Sequence, residues 1–343
     1  MRQEASATVN VRSPLRVDFV GMTDYLPACK QFGGSVVNAT INKYIYATAR
    51  KRADGLCRFN APDHDDLHVE VPGFDKLDAR GELGLAQEIV ARFDLREGVE
   101  LTTYSQMPGG AGLGSSSTIA TCIIAALDAL TGHKLSNYEM AQMAIDCETT
   151  ALNTTYGWQD QYSPVTGGGV KYMRYWPEST GHGIEIDQLP LSVAELAALQ
   201  RSLVVCYSGM SRPAGRILDA VAGGVSRGDT EVVESLQDMS RRADDIRLCL
   251  LEGQLDRMGG LLSEVWDLHK QLHPDVTNDA VDEMYDLALE SGAIGGRVCG
   301  AGGGGTFMFY CPPAADFRVA RALTEAGAQV FDVTFDLSGL IVW

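Results

Sequence analysis

Positive charge is scarce in this sequence. Lysine and arginine number 28 against 45 aspartates and glutamates, for a formal net charge of −17. That balance argues against a nucleic-acid binder and against a protein held to an anionic membrane surface. It leaves room for a small anionic substrate, which needs only a few local basic groups. Long apolar runs are missing too, and no stretch approaches the length of a membrane span. The opening MRQEASATVN holds no apolar core of the kind a secretory leader needs. The eight cysteines are scattered, with no C-x-x-C pair and no histidine at zinc spacing. Several sit in apolar segments, so buried free thiols in a reducing cytoplasm are expected.

What is present is a folded chain. Apolar residues make up 45% and charged ones 21%, and 343 residues can bury a large core in two lobes. Composition changes character near Trp176 to Asp187, and the lobe boundary is placed there, giving segments 1–186 and 187–343. Val11 to Val20 alternates like a strand and runs into the turn Gly21-Met22-Thr23-Asp24-Tyr25. Ser35 to Ala49 reads as a pair of β segments, His68 to Val71 as an edge strand and Gly84 to Phe93 as a helix. After them come a strand at Val99 to Tyr104, a buried helix at Ile119 to Leu130 and an amphipathic helix at Tyr138 to Leu152. Asn153 to Thr166 reads as a loop, Val170 to Tyr175 as a strand. The second half reads as strand Leu203 to Tyr207, helices over Ala214 to Ala222, Thr230 to Glu252, Gln254 to Gln271 and Asn278 to Ser291, and strand Thr306 to Tyr310. A helix from Asp316 to Ala326 and strands at Gln329 to Phe335 and Gly339 to Trp343 close the chain.

Glycine concentrates in two loops. The first, Met107-Pro108-Gly109-Gly110-Ala111-Gly112-Leu113-Gly114-Ser115-Ser116-Ser117, lies between a strand and the buried helix. Glycines there let the backbone approach a ligand, and a helix start behind them offers free N–H groups to an anion, phosphate above all. The serine hydroxyls are expected to cap that helix. The loop lacks the lysine of a Walker A motif, and there is no G-x-G-x-x-G at the first βα turn. Without a lysine, charge compensation must come from amides, the helix dipole and a metal. Serine hydroxyls suit Mg²⁺, a hard cation, with a carboxylate as a further ligand. Glu148 is the best candidate for that carboxylate, the alternative being a solvated helix charge. Asp160, in GWQDQY (Gly157 to Tyr162), could accept a proton from a hydroxyl during phosphoryl transfer, or could be a turn residue. Arg16, in an apolar strand, is either a structural ion pair or the partner of Asp160. Thr23, Asp24 and Tyr25 could bind sugar hydroxyls or form an Asx turn.

Three motifs resemble, in order, those of the GHMP kinases: SPLRVDFVGMTDY (Ser13 to Tyr25), MPGGAGLGSSS (Met107 to Ser117) and GRVCGAGGGG (Gly296 to Gly305). The resemblance covers the whole chain. Four further strings, GGSVVNATINKY, GWQDQY, YSGMSRPAGRIL and VWDLHKQL, are similar to the branch acting on D-glycero-D-manno-heptose 7-phosphate. The resemblance implies an α+β fold with an N-lobe like the second domain of ribosomal protein S5 and a ferredoxin-like C-lobe. It implies ATP and Mg²⁺ as cofactors, and phosphorylation of the anomeric 1-hydroxyl of the heptose phosphate to a 1,7-bisphosphate. Carried over, Asp160 and Arg16 are the catalytic pair, residues 108–117 bind the nucleotide, and Ser116 and Glu148 hold the metal. The substrate set is Thr23, Asp24, Tyr25, Gly34, Lys43, Gln159, Arg212, Gly302 and Gly303. Arg212 is first choice for a substrate phosphate because a guanidinium fork suits that group; Lys30 and Arg216 read as surface charges. Two departures from the family pattern, Met22 and Trp158, fall in the expected sugar pocket. The alternatives are a family member acting on another sugar or a cyclitol, and a silent sugar or nucleotide sensor. The expected partner is a small sugar or sugar phosphate, with no nucleic acid or membrane, and the protein a cytoplasmic monomer or homodimer.

Overall fold

The computed structural model describes residues 8–95, 97–152, 157–177, 183–210 and 215–343. The strands are β1 (Thr8–Val20), β2 (Gly34–Arg52), β3 (Cys57–Ala61), β4 (Leu67–Val71), β5 (Gly98–Ser105), β6 (Val170–Tyr175) and β7 (Ile184–Gln188). They are followed by β8 (Leu203–Tyr207), β9 (Gly295–Val298), β10 (Thr306–Tyr310), β11 (Gln329–Phe331) and β12 (Ile341–Val342). The helices are α1 (Leu26–Phe32), α2 (Gly84–Ala91), α3 (Ser115–Thr131), α4 (Asn137–Leu152), α5 (Gln159–Val165) and α6 (Val193–Arg201). In the second half come α7 (Gly215–Arg227), α8 (Thr230–Glu252), α9 (Leu255–Leu272), α10 (Asp279–Glu290) and α11 (Asp316–Glu325).

The first sheet has strand order β12-β1-β2-β5-β3-β4, with β6 on β2 and β7 on β6. The second has order β11-β8-β10-β9 and is antiparallel throughout. Residues 35–49 therefore form part of one 19-residue strand rather than two segments. Strand β2 serves two partners: Gly34 to Ala39 pairs with β6, and Ile45 to Arg52 pairs with β5. That division is what made the run look like two pieces. Pairing of β1 with β2 slips between Pro14 and Arg16 and again between Asp18 and Val20. Such irregularities re-aim side chains next to functional sites, and here Arg16 and Asp18 lie between them.

Helix α3 is apolar on nearly every face and packs against β1 and β2, which fixes the loop before it over the sheet. Helices α8 and α9 pair with each other; α9 lies on β9, and α8 also reaches β1 and β2. Sheet membership changes after Gln188, so a boundary between 186 and 187 cuts through β7. The C-terminal strand β12 returns to pair with β1 in the first sheet. Strands β3, β7 and β9 and helices α1 and α6 were not foreseen. Most are short, and β3 runs directly into the polar stretch Asn60 to Asp66, which hides its end. All eight cysteines are buried and free.

Candidate active site

The glycine loop between β5 and α3 is pinned by its carbonyls. Ala111 O accepts from Thr306 N at 2.9 Å, Leu113 O from Arg16 N at 3.3 Å, and Gly112 O from Arg16 Nη1 at 2.6 Å. Gly110, Gly112 and Gly114 all have positive φ, the region that favours glycine. A Cβ on Gly112 would collide with the carbonyl of Cys299, and Gly300 in turn rests on Gly112. The two glycine loops, far apart in sequence, are thus packed backbone to backbone. The expected serine cap is not there. Gly114, in a left-handed conformation, is the N-cap residue of α3 and no side chain caps the helix. The serines occupy its first turn, and the Ser117 hydroxyl donates to Glu148 Oε1 at 3.0 Å.

Asp160 sits in the first turn of α5 rather than in a loop. Arg16 grips it bidentately, Nε to Oδ1 at 2.7 Å and Nη2 to Oδ2 at 2.8 Å. Arg16 is 4% exposed, whereas the Asp160 side chain is 25% exposed and faces a cavity of about 190 Å³. A Cβ on Gly114 would lie 3.0 Å from Asp160 Cγ, so the carboxylate stands against the last glycine of the loop. Burial works against the Arg16 charge, but Asp160 and Asp18 outweigh it and its pKa is raised.

The same cavity is lined by Met22, Asp24, Gly157, Gln159, Glu148 and Leu218, with Gly300 and Ala301 from the second loop. Asp24 Oδ2 accepts from Gln159 N at 3.1 Å. Gly157 is required there, since a Cβ would strike the Asp24 carboxylate. Burial, and then the neighbouring Asp160 carboxylate, push Asp24 up to about 6. Glu148 is buried and accepts from Ser117 and from Gln161 Nε2 at 2.6 Å. Burial pushes it up to about 7, against hydrogen bonds from Gln161, Ser117 and Ser116. Two oxygens of residues in the cavity wall, Ser115 Oγ and Gln161 Oε1, are buried without a partner. Hard oxygens with unused lone pairs around a carboxylate that lacks a basic partner suit a divalent cation. The donor set therefore fits Mg²⁺ at Ser116 and Glu148. Among the described residues no group of three or more His, Cys, Asp or Glu is placed to hold a metal alone, so phosphate oxygens and water would complete its shell.

A second cavity of about 350 Å³ adjoins the loop and shares Ser115 with the first. It is mainly apolar, with Leu83, Tyr104, Ile119, Met107, Pro108 and Gly109 in its wall.

The structure separates the expected substrate residues. Asp24 and Gln159 line the first cavity. Thr23 is buried and its hydroxyl donates to Ser35 O at 2.5 Å, while Gly34 packs against the Thr23 carbonyl. Tyr25 is buried beside them. Lys43 is not in the cavity: its ammonium lies 5.6 Å from the Phe331 ring centroid on β11. Gly302 and Gly303 are not in its wall either. Gly303 N donates to Val276 O at 2.6 Å and Gly302 is crowded by the same carbonyl, so both fasten the loop to the turn Pro274–Val276. Arg212 lies outside the described residues. Leu113 is a core residue, and only its carbonyl serves the site. Trp158 is fully buried with Cys29, Val36 and Met173, so that departure is one of packing. Met22 does line the cavity, at φ 68. Asp18, Gln161, His269 and Arg297 stand inside the quoted motifs, but no role was assigned to them. The signal for Asp18 was its spacing of two from Arg16, which puts both on one side of a strand.

Residues 83–168 match the GHMP kinases N terminal domain and residues 246–329 match the GHMP kinases C terminal domain. The D-glycero-alpha-D-manno-heptose 7-phosphate kinase of Campylobacter jejuni is 29% identical over 342 residues, covering 98% of this chain and 99% of the relative. A crystal structure described as a D-glycero-D-manno-heptose 1-phosphate kinase from Bacteroides thetaiotaomicron superposes with a TM-score of 0.77 at 25% identity, over 98% of both chains. Lactococcus lactis galactokinase, at 19% identity and a TM-score of 0.75 over 97% of this chain and 95% of that one, shares the fold. With both domains matched in order and a kinase relative aligned over nearly its whole length, the chain belongs to the GHMP kinases and is a phosphotransferase with an alcohol group as acceptor.

Proposed function

We propose that the protein is a sugar kinase that uses ATP and Mg²⁺ to phosphorylate the anomeric 1-hydroxyl of D-glycero-D-manno-heptose 7-phosphate, giving the 1,7-bisphosphate. The observation that carries the reading is the position of Asp160, pinned by Arg16 against Gly114 where the phosphate loop meets its helix. Arg16 uses one lone pair on each carboxylate oxygen, which leaves others free for a substrate hydroxyl. That hydroxyl gives its proton to Asp160 as its oxygen attacks the γ-phosphorus, and ADP leaves. Loop amides and the start of α3 take up charge on the transferred group. Asp24 and Gln159 face the same space and would orient the sugar, while the apolar cavity beside Met107 and Tyr104 suits a nucleotide base. Mg²⁺ at Ser116 and Glu148 would supply electrostatic neutralisation of the phosphates.

A second reading, a sugar without a phosphate, is favoured by one observation. Among the described residues lining the cavity, the only basic side chain is Arg16, and Asp160 engages it. The bifunctional fucokinase/GDP-fucose pyrophosphorylase of Arabidopsis thaliana, 26% identical over 94% of this chain and 32% of its own length, bears a name of that kind. ADP release across a panel of heptose 7-phosphate, free heptose, fucose and hexoses separates the two, followed by phosphorus NMR of the product. The heptose phosphate is expected to show the highest kcat/KM and a new anomeric phosphate signal. Faster turnover of an unphosphorylated sugar would sink the first reading.

A further inference from the structure

Arg16 does not hold Asp160 alone. Behind it, out of contact with solvent, lies a row of alternating charges that the kinase chemistry as derived so far does not use. Asp18 stands 3.9 Å from Arg16 Nη1 and 3.5 Å from Arg297 Nη2. Asp18 and Arg297 are both 0% exposed, and Arg297 comes from β9 in the second sheet. The remaining Arg297 contacts are neutral: Phe19 O at 3.3 Å, Val298 O at 3.2 Å and His269 Nδ1 at 3.4 Å. Burial and the adjacent guanidinium push His269 down to about 3, so its ring nitrogen is an acceptor. The order Arg297, Asp18, Arg16, Asp160 is therefore balanced, two cations against two anions. An isolated buried charge would be costly. Asp18 has another tie: its Oδ1 accepts from Gly300 N at 3.2 Å, and Gly300 rests on Gly112, whose carbonyl accepts from Arg16.

We infer that Asp18 is a positioning residue for the kinase reaction: it sets the guanidinium plane of Arg16, and through it the Asp160 carboxylate, while locking the second glycine loop against the first. Arg297 is the counter-charge that lets Asp18 do this without solvent. The inference rests on the proposed role of Asp160 and extends it to two residues that do not touch substrate. A carboxylate that served only to neutralise Arg297 would have no need to contact Arg16 and the Gly300 amide as well.

The test is Asp18→Asn, which keeps an acceptor for Gly300 and removes the charge, together with the double variant Asp18→Asn/Arg297→Met, which removes the stranded cation. Wild-type ADP release is measured first on the sugar panel; its outcome decides the substrate, and the variant ratios are then taken on whichever sugar turns over. Asp18→Asn is expected to lower kcat at least about tenfold with both KM values within about threefold, the signature of an interaction realised in the transition state. The double variant is expected to regain the wild-type melting temperature and to keep the low kcat. Recovery of kcat along with stability in the double variant would overturn the inference, because Asp18 would then matter only as the partner of Arg297. An unchanged kcat in Asp18→Asn would overturn it too. If the single variant does not fold, the kcat of the double variant decides.

Discussion

At the scale of single residues the site depends on carboxylates and cations whose partners differ in kind. Asp160 has a fixed guanidinium behind it and open space in front. Asp160→Asn should cut turnover about 10²- to 10⁴-fold, the usual contribution of a positioned base, while nucleotide affinity measured by calorimetry stays close to wild type. Retained turnover would remove Asp160 from the chemistry. Lys171 is a contrasting case. It is buried on β6, its Nζ donates to Ser163 O at 2.8 Å, and burial pulls it down to about 7 despite Asp336. An unfolded lysine titrates near 10.4, so between about pH 7 and 10 the unfolded chain binds a proton that the native chain does not, and this group makes stability rise with pH by about 1.4 kcal/mol per unit. Lys171→Met should remove that slope and raise stability most near and below pH 7, read as urea midpoints at pH 7 and 9. A variant whose midpoints rise between those pH values as the wild type's do would show that Lys171 is charged in the fold. Asp160 and Arg16 could be found in the sequence because each is a polar residue out of keeping with its surroundings. Lys43, Gly302 and Gly303 lie outside the cavity wall, against Phe331 and Val276 from other parts of the chain, and no sequence pattern announces those contacts. Of the two departures from the family pattern, Trp158 and Met22 looked alike in sequence, and burial alone separates packing from pocket.

At the scale of elements, the glycine loop before α3 could be recognised from its composition, but the job of each glycine could not. Gly112 has φ 78 and its missing Cβ makes room for the Cys299 carbonyl, whereas a Cβ on Gly109 would meet nothing within 4 Å. Gly112→Ala should therefore cost at least about 1–2 kcal/mol from the left-handed conformation alone, with a further loss as the second glycine loop is pushed away. Its melting temperature should fall and its KM for ATP rise, while Gly109→Ala should leave the melting temperature near wild type. Equal effects from the two would mean that loop flexibility in general, and not the contact with Cys299, is what the glycines provide. The serines show the converse case. Their pattern suggested a cap, and the chain uses Gly114 for that position, which frees Ser117 to hold Glu148 and leaves Ser116 facing the cavity. Short elements such as α5 escaped sequence reading because Pro164 and the flanking glycines resemble loop composition. In the fold α5 is held by tertiary hydrogen bonds, including Ser163 Oγ to Asn38 and Gln161 Nε2 to Glu148.

At the scale of the whole molecule the two lobes are not consecutive pieces of chain. The segment after β11 runs back across the first sheet. Asp336 N donates to Thr40 O at 2.9 Å, and Gly169 N to Asp336 O at 2.7 Å. Phe335 bridges Ile41, and Asp336 Oδ2 accepts from Tyr44 Oη at 3.0 Å. Trp343 exchanges two 2.9 Å backbone bonds with Asn10 beyond β12. The strand at Gly339 to Trp343 is legible in the sequence, but its partner is not, because two paired residues carry no pattern that points to β1. The sheet that carries Arg16 and Asp18 is therefore completed by residues from the far end of the chain. A fragment ending at residue 186 lacks the last two residues of β7, the Asp336 contacts, β12, and the Arg297 that balances Asp18. Leaving Asp18 with only one of its two cations, and the β1 edge and the Thr40 region without their backbone partners, removes several independent supports at once. Such a fragment is expected to lack cooperative thermal unfolding and to give a collapsed amide NMR spectrum. Added in equimolar amount, residues 187–343 should restore chemical-shift dispersion, because they bring back every missing contact except those within β7. A well-dispersed spectrum from the fragment alone would mean that the returning segment decorates the first lobe without completing it, and the boundary after residue 186 would then mark an autonomous folding unit.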